Sequence, residues 1–374
     1  MFFSTKKKDA KHGMAKKIVL TGGGTAGHCY PNLALVPTLQ SMGYDITYVG
    51  SYDGIEKSLV EAESGIPYFG IATGKLRRYF DLKNFTDPFR VMKGFAEARH
   101  ILKVVSPDVV FSKGGFVAVP VVRAAASLKI PVVIHESDMT PGLANRLSYG
   151  SAARVCCSFR HTLSLLPGDK GVFTGSPIRA SLLHGDAERA RSFLGMREGG
   201  YPFLMVIGGS QGAQHVNEVV REALPGLLKE YNVIHLCGKG KTDPSLDLME
   251  GYSQYEYISE ELADLYALAD VVISRAGSNA IFELLALHKP NILIPLGTGG
   301  SRGDQILNAG EFEKNGYSRV LPDDTLTADA LISAVSGVYE GRDGYRTAMA
   351  QASENDAVAN ICAVIESIYV QHRQ

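Results

Sequence analysis

Three glycine-rich stretches follow directly on apolar runs in this chain of 374 residues. Ile18-Val19-Leu20 leads into Thr21-Gly22-Gly23-Gly24-Thr25-Ala26-Gly27-His28, Val109-Val110-Phe111 into Ser112-Lys113-Gly114-Gly115-Phe116, and Phe203 to Ile207 into Gly208-Gly209-Ser210-Gln211-Gly212-Ala213. A turn without Cβ atoms lets an anion approach the backbone N–H groups, and a helix that follows adds the positive end of its dipole. Phosphate or diphosphate binding is the chemistry such turns suit, and Ser210 adds a hydroxyl at a helix start. The spelling fits neither GxGxxG in the right frame nor a glycine loop closed by Lys-Ser/Thr. Downstream, Ser274-Arg275-Ala276-Gly277-Ser278-Asn279 opens a helix that carries Glu283. A carboxylate there can accept both hydroxyls of a ribose, although an exposed helix glutamate is the plainer reading. The loop Gly299 to Gln305 is polar and suited to ligand contacts, while Gln305 and Asn308 read equally as capping residues. Two acid/base candidates stand at strand or helix ends. His28 sits where a helix begins, which favours a neutral imidazole acting as base or as a positioning group, and His135-Glu136 ends the run Val132 to Ile134.

These residues need a scaffold that brings strand ends together. Short apolar runs at Asp45–Gly50, Val109–Phe111 and Val132–Ile134 alternate with stretches long enough for helices, the first from Pro31 to Met42 and stopped at Gly43. The pattern restarts at Phe203–Ile207 and continues through Val233–Leu236, Tyr255–Ile258, Val271–Ser274 and Asn291–Ile294. Apolar positions Val216, Val219, Val220, Ala223, Leu224, Leu227 and Leu228 fall on one helical face. Alternating β and α segments predict an α/β chain of two Rossmann-like, doubly wound parallel-sheet domains, with ligands at the carboxyl ends of the strands and in the interdomain cleft. The expected divisions are a basic lead-in at 1–15, a first domain at 16–177, a second at 178–351 and a C-terminal helical segment at 352–374 that packs back on the first domain. The joint falls near residues 176–185.

A composition of 45% hydrophobic and 21% charged residues is that of a globular protein, and a formal net charge of −1 argues against nucleic acid as a partner. Five cysteines without a CxxC pair fit neither a disulfide framework nor a zinc site, so no metal is expected and a reducing compartment fits best. The N-terminal stretch lacks the apolar core of a signal peptide, and no run approaches the roughly 18 apolar residues of a spanning helix. Residues 75–103 stand out, with eight basic against three acidic side chains and five interleaved aromatics. Arg77, Arg78, Tyr79, Phe80, Lys83 and Phe85 would contact an anionic lipid surface from the side; packing of the aromatics into the core is the alternative.

Taken together, GGGTAGH (22–28), KGGFVAVP (113–120), HESDMTPGLANR (135–146), TGSPIR (174–179), GGSQGA (208–213), SRAGSNAIFE (274–283) and DQILNA (304–309) resemble, in this order, the motifs of the MurG family within glycosyltransferase family 28. The resemblance spans about residues 16–370 and implies the GT-B fold without an obligatory metal or bound cofactor. It implies inverting transfer of N-acetylglucosamine from UDP-GlcNAc to the C4 hydroxyl of MurNAc in lipid I, undecaprenyl-diphosphoryl-MurNAc-pentapeptide. The product would be lipid II for peptidoglycan, cell-wall growth and division. By motif, Arg179 and Ser210 would meet the diphosphate, the Ile258 backbone the uracil, Glu283 the ribose and Gln305 the sugar. Thr25, Ala26 and Gly27 would close over that sugar, with Asn145, Gln211 and Ser278 in the same donor set. Either His28 or Glu136 would be the base, and Arg179 would stabilise the leaving UDP. The resemblance also implies a peripheral place on the cytoplasmic face of the cell membrane and other cell-wall synthesis proteins as partners. Asp138 stands where some family members have Asn, and Ala26 where many have Gly. Two readings compete with this one: a processive diacylglycerol glycosyltransferase, and a non-catalytic nucleotide-sugar-binding subunit. An NAD oxidoreductase is disfavoured by the missing GxGxxG frame.

Overall fold

The computed structural model describes residues 15–62, 65–74, 83–195, 200–209, 212–297, 303–352 and 356–374, with side chains from residue 89 onward in the third segment. Strands β1 (Lys16–Thr21), β2 (Tyr44–Ser51), β3 (Tyr68–Ile71), β4 (Val109–Ser112), β5 (Val132–Glu136), β6 (Arg154–Cys157) and β7 (Gly171–Phe173) form one sheet in the order β3-β2-β1-β4-β5-β6-β7. Every described pairing in it is parallel. Helices α1 (Ala26–Ser41), α2 (Ile55–Ala62), α3 (Lys83–Val105), α4 (Ala118–Ser127) and α5 (Leu143–Ser148) belong to the same half. A sheet covered on both faces needs apolar residues on both sides of each central strand. In β1, Ile18 and Leu20 enter one core with Leu33 and Leu39 of α1, while Val19 enters another with Leu102 of α3 and Val121 of α4.

A 3-10 turn, Ala180–His184, and α6 (Ala187–Phe193) connect to the second half. It contains β8 (Phe203–Ile207), α7 (Gln214–Leu227), β9 (Asn232–Leu236), β10 (Tyr252–Tyr255), α8 (Leu262–Leu268), β11 (Val271–Ser274), α9 (Ser278–Ala286), β12 (Asn291–Leu293), α10 (Asp304–Lys314), β13 (Arg319–Val320), α11 (Ala328–Glu340) and α12 (Arg342–Ala350). Its sheet, also parallel, has the order β10-β9-β8-β11-β12-β13. The predicted face of α7 is buried in one core with Leu331 and Val335 of α11, Leu228 only partly. The last helix, α13 (Ala357–Arg373), returns to the first sheet, burying Ile361, Ile365 and Ile368 with α1. Glu366 ties it there, accepting from Lys16 Nζ at 2.6 Å and from the Tyr44 hydroxyl at 2.9 Å.

Two element bounds differ from the sequence expectation for definable reasons. Strand β10 ends at Tyr255, where the apolar run suggested a strand from Tyr255 to Ile258. It is an edge strand whose register sets Tyr252 opposite Val233, so its polar residues Ser253 and Gln254 are tolerated and the run's apolar character misleads. Helix α1 begins five residues before Pro31, and that proline lies inside it. Proline lacks the N–H that would bond to the carbonyl four residues back, here that of Gly27. Asn279 of the second half supplies the missing donor, its Nδ2 bonding to Gly27 O at 2.9 Å.

Candidate active site

The carboxyl ends of the central strands of both sheets face each other, and two adjoining pockets lie between them. The larger, about 720 Å³, runs from Tyr257, Leu262 and Tyr266 past Tyr30, Arg179 and Glu283 to Gly208, Gly209, His215, Arg275 and Gln305. The smaller, about 280 Å³, is lined by Thr25, Gly27, His28, Lys113, Glu136, Asp138, Asn145 and Ser278 among others. Both touch Gly277, Asn279 and Ala280, so they are continuous at the start of α9. The turn before α1 stands on their boundary: Ala26 lines the larger pocket, Thr25 and Gly27 the smaller.

Of the residues expected to hold a nucleotide sugar, Ala26, Arg179, Glu283 and Gln305 share the larger pocket. Ile258 is buried just beyond β10, next in sequence to the pocket-lining Tyr257. Thr25, Gly27, Asn145 and Ser278 line the smaller pocket, with both candidate bases. Ser210 and Gln211 lie outside the described residues, as do Arg77, Arg78, Tyr79 and Phe80; Lys83 and Phe85 lie on α3 with side chains outside them.

Glu283 is not the exposed helix glutamate of the plainer reading. Burial pushes its carboxyl up to about 7, against the pull of the nearby Arg179 guanidinium. Arg179 itself lies over the Tyr30 ring, 3.9 Å from guanidinium carbon to ring centroid. Its buried Nε has no hydrogen-bond partner among the described residues. A buried guanidinium N–H without an acceptor is costly. The Arg179 side chain lines a pocket large enough for an anion.

In the smaller pocket the glycine turn after β4 acts as a spacer. Gly115 adopts φ +79°, and a Cβ there would stand 3.0 Å from His28 Cδ2 and against Gly23 O. Gly114, at φ +91°, would drive a Cβ to 2.7 Å from Asn145 Oδ1. Both positions must therefore be glycine for the three loops to meet. Glu136 is a hub: its carboxylate accepts from the N–H groups of Ser137 (3.1 Å), Asp138 (3.3 Å) and Gly142 (3.0 Å), from Asn145 Nδ2 (2.9 Å) and from the Tyr149 hydroxyl (3.3 Å). His135 points away from this pocket. Its Nε2 donates to Gly175 O at 2.9 Å, and its Nδ1 accepts from Lys113 Nζ at 2.8 Å. Burial, then the neighbouring ammonium, holds this histidine well below its ordinary range, so it is neutral.

Lys113, which also donates to Ser137 Oγ, is the site residue that sequence reasoning passed over. It is fully buried, which lowers its ammonium to about 8 against the pull of Glu136 and Asp138. Its position between a buried strand and two glycines was the available signal. Asn308 also has a larger role than capping. It is buried between the two halves, accepting from Met139 N at 3.2 Å and donating to Asp138 Oδ1 at 3.4 Å and Ala276 O at 3.3 Å. Asp138 thus works as an acceptor, for which a carboxylate serves as well as an amide. Beside it, Thr140 Oγ1 donates to Asp304.

Residues 18–157 match the glycosyltransferase family 28 N-terminal domain, and residues 203–362 match the family 28 C-terminal domain. The chain belongs to glycosyltransferase family 28. Among relatives of this family 28 chain is a UDP-N-acetylglucosamine–N-acetylmuramyl-(pentapeptide) pyrophosphoryl-undecaprenol N-acetylglucosamine transferase of Lachnoclostridium phytofermentans. The two are 58% identical over 94% of this chain and 99% of that protein. A protein of the same description from Lachnospira eligens is 54% identical over 94% of this chain and 99% of its own length. The crystal structure of Acinetobacter baumannii MurG superposes with a TM-score of 0.73, covering 94% of this chain and 99% of that one at 24% identity. The fold of this family 28 chain is GT-B: two parallel-sheet Rossmann-like domains facing a cleft.

Proposed function

We propose that this chain is an inverting glycosyltransferase that moves N-acetylglucosamine from UDP-GlcNAc to the C4 hydroxyl of the MurNAc unit of lipid I, giving lipid II. The sugar and the acceptor rest on the relatives of more than 50% identity over nearly the full length. The chemistry rests on one observation: Arg179 and Glu283 share the larger pocket, the first with a buried N–H that has no partner among the described residues, the second with a carboxyl raised to about 7. A guanidinium suits the diphosphate of a nucleotide sugar and a carboxylate suits paired ribose hydroxyls. UDP lies in the larger pocket, with its uracil toward Ile258 and its sugar toward Gln305. Gln305 Oε1 already accepts from Leu296 N at 2.9 Å, which fixes the side chain and turns its amide N–H groups to the ligand.

Lipid I enters the smaller pocket, where Thr25, Gly27 and His28 meet the donor sugar. The C4 hydroxyl attacks C1, UDP departs with the bonding pair, and the hydroxyl proton goes to a base. We assign that role to His28 and not to Glu136, whose carboxylate is saturated by five donors and serves to shape the Ser137–Gly142 loop. Arg179 offsets the charge that accumulates on UDP, a preorganised contribution of about 3 kcal/mol by the measure of comparable oxyanion contacts.

The acceptor is lipid-borne, and no helix of the described residues is long and apolar enough to cross a membrane. We propose a peripheral place at the cytoplasmic face of the membrane, docking through the basic and aromatic region of the first domain, a reading supported by the relatives whose acceptor is undecaprenol-linked. The test is transfer of labelled N-acetylglucosamine from UDP-GlcNAc to a short-chain lipid I analogue, run beside UDP-glucose with diacylglycerol. Transfer to lipid I alone is expected. Arg179→Ala should lower kcat by about a hundredfold or more with an unchanged melting temperature; near-normal turnover would overturn the assignment.

A further inference from the structure

The side chain of Tyr30 makes two contacts that no part of the mechanism above uses. It stands on α1 of the first domain, one turn inside the helix that presents His28. Its ring is the platform for the Arg179 guanidinium at 3.9 Å. Its hydroxyl neighbours the side chain of Tyr257 of the second domain, the residue preceding Ile258. All three side chains line the larger pocket.

The geometry points to Tyr30 as a positioning residue for Arg179, contributed by the acceptor-side domain to the donor's diphosphate contact. This inference rests on the reading of the larger pocket as the UDP site. Arg179 stands on the segment between the domains, at the entry to the 3-10 turn Ala180–His184, where no helix or strand fixes it. Its Nε makes no hydrogen bond among the described residues, and Glu283 acts on it without a close ion pair. Among the described residues the contact that holds the guanidinium plane is the face of Tyr30. A guanidinium stacked on an aromatic ring keeps its N–H edges directed outward in the plane, available to phosphate oxygens. Tyr257 flanks the phenol ring from the second domain, in the same pocket. The platform comes from the first domain while the pocket it serves is lined chiefly by the second, so the arginine is aimed by a residue from across the cleft.

The experiment compares Tyr30→Leu and Tyr30→Phe in the full chain, alone and combined with Arg179→Lys, and measures calorimetric Kd for UDP and for uridine together with kcat and donor KM. Losing the platform should weaken UDP binding about five- to tenfold, within the range of a partly desolvated cation–π contact, while uridine binding changes less than about twofold. Tyr30→Phe keeps the ring and should recover at least half of the UDP affinity. In the Arg179→Lys background the Leu substitution should cost less than about twofold, because coupled residues are not additive. Equal weakening of UDP and uridine by Tyr30→Leu would make Tyr30 a wall of the nucleoside pocket and overturn the inference, as would full additivity with Arg179→Lys. If Tyr30→Leu melts early, the Phe variant decides alone: UDP affinity reduced as far as by Arg179→Lys itself would refute a role carried by the ring face. A wild-type chain that binds neither UDP nor UDP-GlcNAc would instead defeat the reading of the pocket.

Discussion

Glu283 shows how burial changes what a residue can do. Burial raises its carboxyl from 4.5 to about 7, so its charge is sensitive to pH near neutrality. For a carboxyl the folded value above the ordinary 4.5 means that the folded state binds the proton more tightly. Ionising it therefore costs folding stability as the pH rises from about 4.5 to about 7, the reverse of an ion-paired surface carboxylate. Binding has the opposite sign, because only the ionised form accepts two ribose hydroxyls. Uridine, which has no phosphate of its own to titrate, isolates the effect. Its affinity should level off above about pH 8 and fall about fivefold between pH 7 and pH 6, and Glu283→Gln should bind weakly at every pH with no such slope. A flat wild-type profile would place the ribose elsewhere. Glu136 makes the complementary case. Replacing it with Gln puts an NH2 group among donors, so the buried amides around it lose acceptors. Glu136→Gln should destabilise the chain by about 2–4 kcal/mol, read as a lower denaturant midpoint at unchanged m value. A variant with wild-type stability and abolished transfer would return Glu136 to the role of base.

Sequence patterns identified the central elements and misjudged the edges, for a physical reason. A strand buried on both faces must be a continuous apolar run, and β1, β4, β5, β8 and β11 each read that way. Edge and near-edge strands are released from that demand. Tyr68–Ile71, Arg154–Cys157, Gly171–Phe173 and Arg319–Val320 carry no such signature and went unread, while β10 was placed three residues late. Glycine turns could be placed from sequence because they follow those central strands. That Gly114 and Gly115 are packed against Asn145 and His28 could not, since the contact joins loops far apart in the chain. Gly115→Ala tests that packing. The substitution must adopt a positive φ and displace the His28 ring or the Gly23 carbonyl, so it should cost about 1–3 kcal/mol of stability. Its damage to kcat should exceed its damage to the affinity for UDP, which binds in the other pocket. Equal loss of both would mean that the two glycine turns do not act separately.

At the scale of the whole molecule, two of the contacts that hold the halves together reach residues of the pocket walls, Gly27 and Asp138. Asn279 reaches the Gly27 carbonyl that Pro31 leaves open, and Asn308 binds the loop shaped by Glu136. Helix α13 carries the end of the chain back to the first domain, so that both domains share one continuous route through the polypeptide. A near-neutral molecule with a lipid-borne acceptor needs a local device to meet an anionic surface, and we propose that α3 and α5 of the first domain contribute to one. Phe95 is drawn into the core, as the alternative reading of the aromatics required, but Phe89 and Met92 on α3 are about 70% exposed (73% and 69%), beside exposed Arg90 and Lys93. Leu143 and Leu147 of α5 are also exposed, and both helices pack on α4. Apolar side chains beside basic ones favour insertion at a headgroup boundary, with about 1 kcal/mol from each cation near an anionic surface. Vesicles containing a quarter phosphatidylglycerol should therefore sediment the protein at low salt, and release most of it as added salt shortens the Debye length to below about 8 Å. The double variant Arg90→Glu, Lys93→Glu should reduce that partition at least about tenfold, since each reversal replaces an attraction of about 1 kcal/mol by a repulsion. Transfer to a water-soluble lipid I analogue should be retained by the same variant, because neither residue lines a pocket of the cleft. Loss of soluble-acceptor activity together with vesicle binding would show that α3 supports the active site and not the membrane contact, and binding that ignores salt and charge reversal would remove the electrostatic account altogether.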